Sequence, residues 1–140
     1  MSVITSAIYD KLAADATLVG LISTYEGNPA IFTTDPAPGD AQLPYVVSAG
    51  EVAQAPLDTK TTRGRDLIRD VRCYAPGDRD GGSVILAEAI AERVRALLHR
   101  QALIINGFSW WVSDCAGPVA ADEPDAYGRV ISLTMKIQEV

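Results

Sequence analysis

The chain has 140 residues, 48% of them hydrophobic and 21% charged, with 12 Lys+Arg against 18 Asp+Glu and a formal net charge of −6. This composition suits a soluble folded protein, is too apolar for a disordered one, and predicts one domain over residues 1–140. The acidic balance argues against broad nucleic-acid binding, which needs a cationic surface, and no apolar run approaches the roughly 20 residues that cross a bilayer.

Ser2 is positioned to cap a helix in which Ile4, Ile8 and Leu12 recur on one stripe. The opening carries no basic leader and already contains Asp10, so it does not read as a secretory signal. Asp15 predicts the cap of a second, shorter turn carrying Leu18, Val19 and Ile22. Glu26–Pro29 breaks the chain before a short strand at Ala30–Thr33, and the prolines and glycine of Asp35–Asp40 forbid helix and sheet interior. Pro44 opens a β-rich run from Tyr45 to Val52, which Pro56 closes. Leu57–Gly64 has no usable period and reads as a mobile loop, at about residues 55–65, before a strand at Arg65–Tyr74. Leu67, Val71 and Cys73 fall on one face of that strand and Asp66, Asp70 and Arg72 on the other, with Ile68 out of step.

Beyond the interruption Pro76–Gly82, Ser83 is placed to cap the longest helix, with Leu86, Ile90, Val94 and Leu97/Leu98 on one side. Glu88 and Glu92 lie early and Arg93, Arg95 and Arg100 late, which suits the helix dipole. Asn106-Gly107 predicts a two-residue hairpin turn between Leu103–Ile105 and Phe108–Val112, with positive φ at both central positions. Ala121–Gly128 reads as an acidic connection. In the last strand Ile131, Leu133, Met135 and Ile137 alternate with Ser132, Thr134, Lys136 and Gln138. Strands and helices do not alternate regularly, so the pattern predicts an α+β fold: one mostly antiparallel sheet with helices packed on one face.

Few residues offer chemistry. His99 is the sole histidine, and Cys73 and Cys115 form no CxxC pair, so both read as buried thiols, and nothing in the spacing brings His99 to either. Asp78-Arg79-Asp80-Gly81 fails the calcium-loop pattern, with Gly82 and Ala89 where ligands belong. Asp122, Glu123 and Asp125 read as a solvated turn, and no phosphate cradle is present. No catalytic, cofactor or metal residue is therefore expected. Trp110 and Trp111 are adjacent in a strand and face opposite ways, so one is expected beneath the long helix and the other at a partner interface. Asp58, Lys60, Arg63 and Arg65 make a largely basic segment in an acidic chain, readable as a solvated loop or as an arm reaching another protein.

Several segments, in order, resemble the tail-completion (tail terminator) proteins of long-tailed phages and gene transfer agents. They are IYDKLAADATLVGLI, Gln42-Leu43-Pro44-Tyr45-Val46-Val47, Asp58-Thr59-Lys60, a strand ending in Cys73-Tyr74, the helix AEAIAERVRALL, and Tyr127-Gly128-Arg129. The likeness spans nearly the whole chain; the proline-rich Asp35–Asp40 stretch departs from it. It implies a structural α+β subunit at the tail–neck junction of a virion, assembled in the host cytoplasm. There it forms a homo-oligomeric ring, commonly a hexamer, that caps the tail tube and stops its polymerisation. The implied partners are further copies, the tail tube protein and the head–tail connector, with DNA passing through the lumen without specific binding. An acidic chain suits such a lining. A head-side neck adaptor, or a small ligand-binding or enzymatic domain, are the rival readings.

Overall fold

The structure, a computed structural model, describes residues 2–77 and 82–140. The 78–81 loop and the side chain of Ser83, with its expected capping role, lie outside the described residues. Helix α1 (Val3–Ala13) begins where the Ser2 hydroxyl accepts the Thr5 N–H at 3.1 Å, and it buries Ile4, Ile8 and Leu12. The short α2 (Ala16–Val19) begins where Asp15 accepts the Leu18 N–H at 2.9 Å. Where the sequence predicts only a break, β1 (Thr24–Tyr25) and β2 (Asn28–Pro29) form a small hairpin. Its turn places Glu26 and Gly27 both at positive φ. Strand β3 (Ile31–Phe32) is shorter than expected and runs parallel to β4 (Tyr45–Val47).

The run expected from Tyr45 to Val52 is divided. β4 stops at Val47, and pairing resumes in β5 (Glu51–Pro56). Both lie along the same side of β6 (Gly64–Pro76), from Tyr45↔Tyr74 down to Pro56↔Arg65, with a bulge between Glu51 and Ala53. Pro56 is the last residue of β5, closing the run as expected. It occupies an edge, where a missing N–H costs the ladder nothing. Helix α3 (Gly82–Leu98) buries Ala87, Ile90, Ala91, Val94 and Leu98. Arg93 leaves the dipole pattern to grip Asp15 through Nε and Nη2, at 2.8 and 2.6 Å, tying α3 to the start of α2.

The Asn106-Gly107 turn exists, but only Gly107 has positive φ (85°), and Leu103–Ile105 forms no strand beyond a single bridge from Ile105 to Phe108. The reason is topological. Strand β7 (Phe108–Ala120), longer than predicted, spends its pairing on β8 (Ala126–Glu139), which also starts earlier than predicted. The sheet order is β3-β4-β6-β8-β7, antiparallel except at β3–β4. Ile131, Leu133, Met135 and Ile137 are fully buried as predicted, while Ser132, Thr134, Lys136 and Gln138 are half-buried rather than wet.

All three helices contribute to one core with Leu67, Val71 and Cys73 of β6 and the odd-numbered face of β8. The architecture is α+β, with the helices on one face. On the open face a smaller cluster of Ala30, Phe32, Val47, Tyr74 and Ala126 gathers at the end of the sheet near the proline-rich segment.

Candidate interaction surfaces

The expected loop at Leu57–Gly64 is the end of a β-hairpin. Beyond the Pro56↔Arg65 rung, the Leu57 N–H donates to the Gly64 carbonyl and the Thr59 N–H to the Thr62 carbonyl, both at 2.9 Å. The Thr59 hydroxyl accepts the Thr62 N–H at 3.0 Å, so the turn Thr59-Lys60-Thr61-Thr62 closes on itself. Asp58 serves this geometry, accepting the Gly64 N–H at 3.1 Å. On the other flank the Arg63 carbonyl accepts the Glu139 N–H at 2.7 Å. Sequence patterning misses such a hairpin because its order comes from backbone pairing, and no residue of β5 is buried.

The six residues singled out from sequence fall into three places. Asp58, Lys60 and Arg63 sit at the hairpin tip. Lys60 and Arg63 are exposed and have no carboxylate partner among the described residues. Arg65 belongs to β6 instead, its guanidinium 4.9 Å above the Phe108 ring. It shares a cross-strand row with Ile137 and Trp110. Trp110 packs against the core, and its Nε1 donates to the Ser113 hydroxyl at 3.2 Å, which in turn donates to the Leu98 carbonyl that ends α3. Trp111 occupies a bulge between Trp110 and Val112 and is 48% exposed. A bulge sets two residues against one, so strict alternation does not decide its direction.

The cysteines are buried thiols, with burial pushing Cys73 up to about 12 and Cys115 to about 11. His99 meets Cys115 at the backbone rather than at the thiol: its Nδ1 accepts the Cys115 N–H at 3.0 Å. The helix end at Leu98 and the facing strand β7 bring them together. Among the described residues no three of His, Cys, Asp or Glu gather as a metal set, and no helix is long and apolar enough to cross a membrane.

At the opposite end of β6 from the hairpin, a cleft of about 360 Å3 opens on the bare sheet face. Its floor includes Tyr45 and Tyr74, the end of an edge-to-face aromatic series running Tyr25, Phe32, Tyr45, Tyr74 with centroids 5.3 to 5.6 Å apart. Asp35, Glu123 and Asp125 stand around it. Burial raises the Tyr45 phenol above its ordinary range, helped by Tyr74, Glu123 and Asp35. Arg72 stands beside it, held in its charged form by a hydrogen bond to Tyr74 and by Asp70 and Asp35. The acidic turn is thus not uniformly solvated. Asp122 accepts the Gly128 N–H at 3.0 Å and pairs with Arg129, which also reaches Glu88.

The family model described as tail completion protein gp17 matches residues 6–138. The chain belongs to that family. Among solved structures, a chain from "Virion of native gene transfer agent (GTA) particle" shares the fold with a TM-score of 0.75 and 20% identity, over 96% of this chain and 94% of that one. No curated protein sequence matches. The resemblance expected from the ordered segments is therefore correct, and this is a structural tail protein.

Two features of this tail completion protein escaped the sequence reading. Arg69 lies on the core face of β6, fully buried, where it donates to Glu51 Oε1 at 3.2 Å, to the Thr5 hydroxyl at 3.0 Å and to the Ala49 carbonyl. Its position between Leu67 and Val71, in phase with both, was the available signal. The cleft left none, because its residues come from three segments far apart in the chain.

Proposed function

We propose that this tail completion subunit forms a homo-oligomeric ring, six copies by the family pattern, that caps the tail tube, stops its polymerisation and joins it to the head connector at the neck. DNA passes through the lumen without specific binding, and the subunit performs no catalysis. It assembles in the host cytoplasm, and the hairpin tip within residues 55–65 docks against a neighbouring copy. The observation that carries this reading is the hairpin tip, which holds Lys60 and Arg63 in solvent without an ion-pair partner among the described residues, on a chain of net charge −6. Strand β5 and the tip, held by backbone rungs while burying no side chain, add little to the subunit's own core, so the exposed cations are available to a partner.

The test is to replace Asp58–Arg63 with a two-residue Asn-Gly turn. Loop length changes closure entropy only slowly, so the thermal melt should hold within about 1 kcal/mol. Electron microscopy of protein with and without tail tubes should then show rings for the parent and none for the variant, and particles carrying the variant should have overlong tails. Normal rings and tails of normal length from the shortened chain would overturn the proposal.

A further inference from the structure

The basic tip and the acidic cleft sit at opposite ends of β6, whose 13 residues span roughly 40 Å at strand rise. They cannot meet within one molecule. A surface at one end of a subunit and its complement at the other join copies head to tail, and such contacts close into a ring when the rotation allows. We propose that the cleft bounded by Asp35, Glu123 and Asp125 receives the Lys60 and Arg63 side chains of the next copy. This rests on the ring reading and names what the tip touches.

Three observations converge on a second copy as occupant. Neither Lys60 nor Arg63, and none of the three carboxylates, has an ion-pair partner among the described residues. The lining of the cleft carries these three carboxylates and no cation, with Arg72 outside it between Asp70 and Asp35, so its charge complements two incoming cations. The floor suits the stems of such side chains, since Tyr45 and Tyr74 present rings over which an alkyl chain or guanidinium packs while its charge reaches the rim. A volume of about 360 Å3 admits long side chains and excludes a folded segment.

The experiment uses two charge-reversed chains, K60E/R63E and E123K/D125K, each checked by thermal melt. Alone, each should lose ring formation. Mixed in equal amounts they should regain it, because the native tip of one meets the native cleft of the other and the two reversed surfaces also match. A K60C/E123C chain, oxidised at low concentration, should give an intermolecular ladder and no internal cross-link. If the parent and both reversed chains form rings alike, or mixing restores nothing, this docking is overturned while the ring stands. If the reversed chains form normal rings but fail to cap tubes, the occupant is the tube protein, and the docking is again overturned. If the parent forms no ring on or off tubes yet the cysteine ladder appears, the contact stands and the ring reading falls.

Discussion

Two antiparallel partners flank the N-terminal half of β6, β8 on one side and β5 on the other. Along β8 every second residue from Ile131 to Ile137 is fully buried, whereas along β5 none is. Both are held by the same kind of backbone ladder. Only β8 is also held by packing, because the helices cover its inner face at that point. A strand paired but unburied contributes little hydrophobic stabilisation, so β5 extends β6 outward as a support for its tip, while β8 belongs to the core. One interaction bridges the two regimes. Glu51, the first residue of β5, pairs with buried Arg69, which also bonds Thr5 of α1.

That contrast can be broken most directly at Met135. Met135→Asp places a carboxylate at a fully buried position with no cation on the row, and should cost more than about 4 kcal/mol or abolish folding. Chemical denaturation measures it, and a stable variant would refute packing as what holds β8. Glu51→Gln comes next. It removes the counter-charge of a buried guanidinium, and because Glu51 remains partly wet the expected loss is about 2 to 3 kcal/mol, at the lower end for a broken buried pair. The loss should be accompanied by faster amide exchange at the root of β5, and unchanged exchange in β8.

On the opposite face of β8, Thr134→Asp should cost under about 1 kcal/mol, the remainder coming from the like charge of Asp114 directly across on β7. Equal melts for this variant and Met135→Asp would mean the faces are assigned wrongly. The smallest effect sharpens the helix side. Arg93 holds Asp15 down at about 2, from an ordinary 3.8. A depressed carboxylate contributes stability that is complete above 3.8 and lost as pH falls through about 2. Asp15→Asn keeps a capping side chain but not the charge, so the stability gap between parent and variant should narrow over that acid range and stay constant from pH 5 to 7.

Legibility followed the same division. The first helix, its Ser2 cap, the Asp15 cap and the buried face of β8 were readable because hydrophobic period and capping chemistry are local. The rest depended on partners remote in sequence. Strand β5 lacks an apolar period because it buries nothing, and Leu103–Ile105 stayed unpaired because β8 claimed β7. The cleft joins Asp35, Tyr74 and Glu123 only after the sheet has formed. Arg69 was readable in phase and passed over, since a charge between Leu67 and Val71 looks like noise until Glu51 and Thr5 arrive.

The bulge at Trp111 gives the protein a built-in optical probe. The two tryptophans of the chain are neighbours, yet Trp110 is bonded to Ser113 against the core while Trp111 stands 48% exposed. Their fluorescence therefore comes from two environments. Any surface that covers this stretch of β7 will move the Trp111 emission to shorter wavelength and shield it from a soluble quencher, while the Trp110 signal stays still until the fold opens. In a Trp111→Phe chain the remaining emission follows unfolding alone, so the difference between the two chains separates association from denaturation in one cuvette.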